Sequence, residues 1–319
     1  LTEAERGDLV TVLEEMDSWS EICTEDGFVG YVKNSALGGS QSIVYEENDT
    51  EPEFPHISRE DTVNMAWHQV TNQTANRQID SVLASTKGVN VISPTWFYLD
   101  DNEGGIASLA STDYVSYCHE NGVEVWGLIS NLENADVDTT QVLNVTSSRD
   151  TLVNNLVAEA VKYDLDGINV DFEMLDPEDA AGFLQFIREL SLKCDGNDLV
   201  LSVDNYSPAS YNTFYDRAEQ AVFADYVVLM AYDEHYSGSD AGSVASLGFV
   251  NQGVADTLQE VPADQLILGI PFYTRLWKLT PTDSEEEPYE VSSEALGMSE
   301  AESRVAANGA TFQWLEDCG

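Results

Sequence analysis

The sequence predicts an α/β protein, a (β/α)8 TIM barrel preceded by a small all-β domain. From Asp61 onward, seven apolar runs typical of strands alternate with stretches of helical pattern. This alternation predicts a parallel sheet with helical crossovers, and seven such units favour a closed barrel over an open sheet. Residues 1–38 contain only short β-type runs, which predicts a separate domain ahead of the barrel.

The composition is that of a folded and strongly acidic chain. The 319 residues are enough to bury a large core, and a hydrophobic share of 43% excludes a disordered chain. The chain has 58 Asp and Glu against 13 Lys and Arg, a net charge of −45. Such a surface repels phosphate backbones and anionic lipids, which argues against binding to nucleic acid or a membrane. This charge fits a secreted or salt-exposed protein that stays soluble by charge, and we expect any signal or anchor to lie outside this sequence.

The N-terminal domain is predicted from three β-type runs, at 9–13, 19–23 and 28–32. Asp26-Gly27 marks a tight turn before the third run. The pattern resembles the later part of a bacterial SH3-like domain, and we expect the domain to be partial because residues 1–6 are too few for a further strand. A plain β-hairpin cap is the alternative. Residues 39–58, rich in Ser, Glu, Asp and Pro, are predicted as a linker to a barrel domain over 59–319.

The barrel strands are predicted in chain order, at 62–70, 89–98, 123–131, 166–174, 198–206, 226–234 and 265–273. One helix is predicted to open at Asp150, and another at the acidic cap 176–179. An acidic loop at 283–287 and a helix near 299–307 follow the seventh strand. No eighth strand is found before Gly319, so we expect it to lie outside this sequence.

The fourth predicted strand carries the residues that point to chemistry. Side chains alternate across a strand, so Asn169, Asp171 and Glu173 share one face, while the residues between them are apolar. Burying three neighbouring polar groups is costly unless they are paired or used. They also fall at the C-terminal end of a barrel strand, where barrel enzymes build their active sites. We therefore predict a catalytic site on this face.

Two motifs resemble glycoside hydrolase family 18, the chitinase-like barrels. The stretch 166–173, DGINVDFE, is similar to the family motif DGxDxDxE, with Asn169 at the first inner Asp. The stretch 230–233, MAYD, is similar to the family's Met-x-Tyr-Asp on strand six. The family's strand-three SxGG is absent, since 127–130 reads GLIS. The runs WFYL, YCHENGVEVWGLISN and LILGIPFY resemble the branch that cuts bacterial peptidoglycan or spore cortex.

The resemblance implies substrate-assisted, retaining hydrolysis of β-1,4 bonds next to N-acetylglucosamine, without a cofactor. Glu173 would enter the reaction protonated, protonate the glycosidic oxygen, and then activate water as a base. The 2-acetamido oxygen of the substrate would attack the anomeric carbon in place of a protein nucleophile. Asp171 would orient the acetamido N–H, Tyr232 would donate its hydroxyl to the acetamido oxygen, and Asp233 would support that group.

The expected partner is an N-acetylated polysaccharide, either peptidoglycan or a chitin-like glycan. Candidate substrate contacts are the side chains expected near strand ends: Asn169, Trp96, Tyr98, Asp204, Met230 and Tyr273. For the aromatic residues on strands, ordinary core packing is an equally good interpretation. Arg275 is expected either to pair with a site carboxylate or to lie at the surface. His235 is interpreted as a loop residue with satisfied hydrogen bonds.

Two other functions remain alternatives at this point. A chitinase-like lectin would bind glycan without cutting it, although such proteins usually lose the acid that Glu173 supplies here. A metal-dependent barrel enzyme could use Asp171, Glu173 and Asp233 as oxygen ligands, but these residues fit the acetamido mechanism without a metal. The four cysteines form no CxxC pair, so they predict no zinc site and are interpreted mainly as buried residues.

Overall fold

The computed structural model describes residues 6–25, 27–40, 54–59, 61–283, 288–316 and 318. The predicted linker and the predicted acidic loop therefore lie in large part outside the described residues. The chain divides into two compact units, which are described in turn. The first comprises Leu1–Val203 with Val222–Asp225, and the second comprises Asp204–Ala221 with Tyr226–Gly319.

The first unit begins with a three-stranded antiparallel sheet in the order β1-β2-β3. Its strands are β1 (Val10–Glu15), β2 (Trp19–Thr24) and β3 (Val29–Lys33). Gly27 makes the turn between β2 and β3 with φ of +83°, a conformation that favours glycine. Asp26, the other residue of the predicted turn, lies outside the described residues.

A parallel sheet follows in the first unit, paired in the order β4, β5, β7, β8 and β9. The strands are β4 (Met65–His68), β5 (Val91–Leu99), β6 (Ile106–Ser108), β7 (Glu124–Ser130), β8 (Gly167–Asp171) and β9 (Val200–Tyr206), whose last three residues belong to the second unit. The short β6 pairs antiparallel with the end of β5. Strands are found at all five sites predicted in this part of the chain, with shorter bounds.

The helices of the first unit are α1 (Gln73–Asn76), α2 (Ile79–Ser85), α3 (Thr112–Glu120), α4 (Thr139–Asn144), α5 (Thr146–Tyr163) and α6 (Ala180–Asp195). The prediction that a helix opens at Asp150 is wrong by one turn, because α5 already begins at Thr146 behind Val145. A 3-10 turn, Pro177–Asp179, precedes α6, and a capping box between Asp176 and Asp179 closes it as the sequence predicts.

Glycine in the DGINVDFE motif has a packing reason. A Cβ at Gly167 would lie 2.7 Å from the carbonyl oxygen of Val200 and 2.9 Å from the ring of Trp126. Only glycine therefore lets β8 pass this closely between the Trp126 side chain and β9. On the outer side of the same motif, the Phe172 ring stacks on Phe183 and Phe186 of α6, with centroids 6.2 and 5.4 Å away.

The segment that enters the barrel is anchored by a buried carboxylate. Asp225 accepts hydrogen bonds from the main-chain N–H groups of Ile57, at 2.6 Å, and Leu201, at 2.7 Å. The ring of Phe54 packs edge-on against Phe223, with centroids 4.5 Å apart. Burial raises the pKa of Asp225 to about 6, although both N–H groups favour its ionised form.

The second unit contains the parallel pair β10 (Tyr226–Met230) and β11 (Leu266–Gly269) and the antiparallel hairpin β12 (Tyr273–Pro281) and β13 (Tyr289–Gly297). Its helices are α7 (Arg217–Phe223), whose last two residues belong to the first unit, α8 (Leu247–Thr257) and α9 (Met298–Ala307). The helix predicted near 299–307 is present as α9. The hairpin was not predicted.

Five predicted strands end earlier than expected, and for three of them the difference moves a site residue. The strand β8 ends at Asp171, so Glu173 lies beyond it, and Met174 adopts φ of +53° and is 79% exposed. The strand β10 ends at Met230, which places the Tyr-Asp pair in the loop after it. The strand β11 ends at Gly269, so Tyr273 begins the hairpin instead. Among the described helices, none is long and apolar enough to cross a membrane.

Candidate active site

Asn169 lies inside the first unit and links three strands. Its Oδ1 accepts a hydrogen bond from the indole N–H of Trp67 on β4, at 3.1 Å, and from the Ser93 hydroxyl on β5, at 3.0 Å. The residue is completely buried, which a neutral amide tolerates when its oxygen is satisfied in this way. The polar face predicted from the alternation is therefore directed toward β4 and β5.

Asp171 and Glu173 follow Asn169 at the carboxyl end of β8. Asp171 is the last residue of the strand and is paired with Ser130 of β7, and Glu173 lies two residues further on. Both side chains are half-buried, whereas Phe172 between them is buried against α6. A partly solvated carboxyl pair at the end of a barrel strand is accessible to a substrate.

Two polar residues at the carboxyl end of β7, Ser130 and Asn131, border this carboxyl pair, and the sequence analysis did not single them out as site residues. The side-chain amide of Asn131 binds the main chain of Glu173 at both its N–H, 2.9 Å away, and its carbonyl oxygen, 3.0 Å away. The Ser130 hydroxyl donates to the carboxylate of Glu133. The signal that could have found them is their position, since they are the last two residues of the strand predicted at 123–131, and polar residues at the carboxyl end of a barrel strand fall at the catalytic end.

The aromatic candidates on β5 differ from one another. Trp96 is 0% exposed, its indole N–H donates to Asn76 at 2.8 Å, and its ring packs edge-on against Tyr114, 4.9 Å away. The pairing of β5 with β7 shifts register between Thr95 and Phe97, so Trp96 is the extra residue of a bulge. The structure thus places Trp96 in the core, without a free face for a sugar. Tyr98 is half-buried and remains a candidate contact.

In the second unit, the loop after β10 brings four predicted site residues together. Asp233 adopts φ of +55°, and its carboxylate lies 3.5 Å from the guanidinium of Arg275. The ring of Tyr232 meets the edge of Tyr273, with centroids 6.2 Å apart and planes at 84°. Arg275 is therefore paired with a carboxylate of the motif, one of the two roles left open by the sequence.

Hydrogen bonds between its own residues hold the loop after Asp233 in place. The Glu234 carboxylate accepts from the Ser243 hydroxyl at 2.6 Å and from the N–H and hydroxyl of Ser246 at 2.7 and 3.0 Å. Burial acts to raise the pKa of Glu234, but these hydrogen bonds outweigh it and lower the pKa. His235 Nδ1 lies 2.9 Å from the Ser243 carbonyl, in agreement with its interpretation as a loop histidine.

The two remaining predicted contacts of the second unit are buried. Asp204, on the part of β9 in this unit, and Met230, at the end of β10, are both almost inaccessible. Within the described ranges, no group of three or more His, Cys, Asp and Glu side chains is arranged to hold a metal ion. Cys118 and Cys194 are buried, whereas Cys23 and Cys318 are half-buried, so the prediction that most of the cysteines are buried holds for only two of the four.

Comparison with known sequences identifies two regions. The sequence model for glycosyl hydrolases family 18 matches residues 43–318, and the model for a bacterial dipeptidyl-peptidase Sh3 domain matches residues 1–37. Both resemblances stated from the motifs are confirmed. The barrel match begins inside the segment predicted as a linker.

Individual curated relatives match over only part of this chain. The uncharacterized glycosylase YvbX of Bacillus subtilis is 30% identical over 200 residues, which cover 59% of this chain and 58% of the relative. The cortical fragment-lytic enzyme of Bacillus subtilis is 28% identical over 188 residues, 56% of this chain and 44% of the enzyme. The chain thus spans about half the length of these curated relatives.

A solved structure supports the fold directly. The crystal structure of a chitinase from Chromobacterium violaceum superposes with a TM-score of 0.67 at 22% identity, over 81% of this chain and 80% of that one. At this identity the likeness shows the fold alone. Together with the matched regions, it confirms the predicted TIM barrel and the small SH3-like domain before it.

Proposed function

Because the chain belongs to glycosyl hydrolases family 18, we propose that it is a glycosidase that hydrolyses β-1,4 bonds next to N-acetylglucosamine. The observation that carries the proposal is the carboxyl pair Asp171 and Glu173 at the end of β8, within the DGINVDFE motif. The pair is half-buried, and Phe172 and Asn131 fix the main chain around it.

Glu173 is the acid and base of the proposed reaction. Its carboxyl proton passes to the glycosidic oxygen as the bond from that oxygen to the anomeric carbon breaks. The acetamido oxygen of the same sugar forms a bond to the anomeric carbon from the opposite face. The Glu173 carboxylate then takes a proton from water, whose oxygen displaces the acetamido oxygen. Two inversions at one carbon leave the configuration retained.

Asp171 and the second motif act on the acetamido group. Asp171 accepts a hydrogen bond from the acetamido N–H, which turns the acetamido oxygen toward the anomeric carbon. The roles of Tyr232, as donor to the acetamido oxygen, and Asp233, as its support, are assigned from their motif. In their own unit, the contact of Tyr232 with Tyr273 and the pairing of Asp233 with Arg275 are consistent with fixed positions for both side chains.

We propose peptidoglycan, including spore cortex, as the polysaccharide. The likeness to a cortical fragment-lytic enzyme and the SH3-like domain at residues 1–37 support this choice over chitin. The SH3-like domain is proposed to bind the wall without a catalytic role, which also places the protein outside the cell or at the cell wall. Tyr98 and Tyr273, both half-buried, are proposed substrate contacts. Asn169, Trp96, Asp204 and Met230 are not included because they are buried.

The direct test is release of reducing ends by the wild type and by Glu173→Gln, with peptidoglycan glycan strands and N-acetylglucosamine oligomers as substrates. Glu173→Gln keeps the size and hydrogen-bonding shape of the side chain but has no proton to give. We expect a loss of about 1,000-fold or more in kcat, with folding and glycan binding retained.

The matched control is Glu178→Gln, an exposed glutamate five residues further along the chain, which should keep wild-type turnover. Near-native turnover by Glu173→Gln would refute its role as the acid. A wild type that binds these glycans but releases no reducing ends would support the lectin alternative instead.

A further inference from the structure

The main chain of Glu173 lies outside the sheet. The pairing between β7 and β8 runs from Trp126 opposite Gly167 to Ser130 opposite Asp171 and then ends. Residue 174 has already turned into the left-handed region, with φ of +53°. Strand pairing therefore does not fix the position of Glu173, and other contacts must hold its main chain in place.

The side chain of Asn131 holds the main chain of Glu173 in place with two hydrogen bonds. It directly follows the last residue of β7, and its amide accepts from the N–H of Glu173 at 2.9 Å and donates to the carbonyl oxygen of Glu173 at 3.0 Å. The two residues are 42 positions apart in sequence. An amide side chain carries a donor and an acceptor side by side, so it satisfies both main-chain groups of one residue, as a paired strand would.

The amide is itself held in place. Asn131 is 8% exposed, and its Nδ2 lies 3.3 Å from the Thr139 hydroxyl in the first turn of α4. On the opposite side, packing of Phe172 on α6 fixes the residue before Glu173. Two contacts thus hold the main chain at Glu173: the packing of Phe172 on α6, and the two hydrogen bonds from the Asn131 amide.

We propose that Asn131 is a positioning residue that holds the acid Glu173 at its working distance from the glycosidic oxygen. The inference rests on the proposed function, because it needs Glu173 to be the acid. Misplacement of a catalytic group by about 1 Å costs on the order of 100-fold in rate. Loss of the Asn131 amide is therefore expected to lower kcat and to leave KM nearly unchanged.

The first experiment compares leaving groups with the full 319-residue chain. Wild type and Asn131→Ala are assayed on an N-acetylglucosamine oligomer with a sugar leaving group and on an aryl glycoside of the same sugar. A sugar must be protonated as it leaves, whereas an aryl group of low pKa leaves with little help from the acid. We expect kcat/KM to fall about 100-fold on the oligomer and less than about fivefold on the aryl glycoside.

A second variant separates the two hydrogen bonds. Asn131→Asp keeps an acceptor for the N–H of Glu173 but loses the donor to its carbonyl oxygen and adds a negative charge beside it. With one of the two hydrogen bonds kept, we expect kcat/KM on the oligomer to fall by less than in Asn131→Ala, about 10-fold, and to fall by less than about fivefold on the aryl glycoside. A purely structural role would lower kcat/KM equally on both substrates. This variant also keeps the inference testable if Asn131→Ala does not fold.

Asn134→Ala is the matched control. Asn134 lies in the same loop and also bridges main-chain groups, donating to Asp100 at 3.0 Å and accepting from Asp136 at 3.2 Å, but it has no bond to Glu173. We expect wild-type kinetics from it. Equal losses for Asn131→Ala on both substrates, or the same loss in Asn134→Ala, would overturn the positioning role.

Glu173→Gln is measured in the same series so that the two proposals can fail separately. If Glu173→Gln is as active as the wild type, the proposed function fails. If Glu173→Gln is inactive while Asn131→Ala and Asn131→Asp both retain wild-type kcat on the oligomer, only the role of Asn131 is refuted.

Discussion

The ends of β8 and β10 carry the two family motifs, and they are ordered by different forces. At the end of β8, neutral groups position the motif: Trp67 and Ser93 bind Asn169, and Asn131 binds the main chain of Glu173. At the end of β10, charged groups do so, since Arg275 pairs with Asp233. Neutral partners order a buried site without adding a charge that would compete for the catalytic proton.

The largest effect is expected at β8, from Asp171→Asn. The substitution keeps the size of the side chain but removes the negative charge that attracts the acetamido N–H. We expect kcat to fall about 100- to 1,000-fold with little change in the free energy of unfolding. The measurement is steady-state kinetics on N-acetylglucosamine oligomers, with thermal unfolding in parallel.

The control for this substitution is Asp164→Asn, at the C-terminal end of α5. Asp164 is 94% exposed and has φ of +59°, which Asn also tolerates. Unchanged kcat is expected. If Asp171→Asn also keeps its kcat, Asp171 does not orient the acetamido group as proposed.

Asp225 is a third case, a buried carboxylate outside the two motifs that also accepts hydrogen bonds from neutral main-chain N–H groups. Its pKa of about 6 lies above the ordinary value of 3.8, so protonation favours the folded state. The stabilising contribution is complete below pH 3.8 and is lost as the pH rises through about 6. Two pKa units correspond to about 3 kcal/mol.

The expected result is a pH-dependent difference between the wild type and Asp225→Asn, which has no carboxyl group to titrate there. Between pH 4 and pH 7 the free energy of unfolding of the wild type should fall by about 2 to 3 kcal/mol relative to the variant. Urea unfolding at several pH values measures both proteins. A constant difference across this range would show that Asp225 does not titrate as inferred.

A smaller effect is expected at β10, from Arg275→Gln. The pair with Asp233 is partly exposed, and such pairs are worth up to about 1 kcal/mol. We expect about a fivefold loss of kcat, which should diminish in Arg275→Lys because the charge remains. Arg304→Gln is the control, since Arg304 also pairs with carboxylates, Glu294 and Glu300, but on the surface. A loss as large as that of Asp171→Asn would contradict the contrast between the two motifs.

The smallest effect on catalysis is expected from deletion of residues 1–38. Turnover of soluble oligomers should stay within about twofold of the wild type, because the proposed catalytic residues all lie in the barrel. Retention on insoluble cell wall, measured by co-sedimentation, should fall. Loss of turnover on the soluble substrate would assign the SH3-like domain a part in catalysis.

The sequence predicts the barrel strands well where the strand is buried and its residue pattern is regular. β8 is the clearest case, since Asn169 and Asp171 alternate with buried apolar residues. The prediction fails where a local irregularity changes the alternation: the bulge at Trp96 places that side chain in the core, and the left-handed residue 174 ends the polar face. The hairpin β12–β13 was missed because most of its side chains are exposed, which leaves no clear alternation.

The site is predictable in its motifs but not in its supporting contacts. DGINVDFE and MAYD identify the carboxylates and the tyrosine by residue type and spacing alone. Asn131 carries no such signal, because its contribution depends on where a side-chain amide meets a main chain 42 residues away. The pairing of Arg275 with Asp233 was one of two open alternatives for the same reason.

Cleavage of two matched oligomers tests whether the acetamido group of the substrate is the nucleophile. One is a fully acetylated N-acetylglucosamine oligomer, and the other is its de-N-acetylated counterpart at equal length and concentration. Substrate-assisted catalysis predicts that the first oligomer is hydrolysed with retained configuration, which NMR of the new reducing end detects. It predicts no detectable hydrolysis of the second oligomer, which brings no internal nucleophile. Equal rates for the two oligomers, or an inverted product, would contradict substrate-assisted catalysis by this protein.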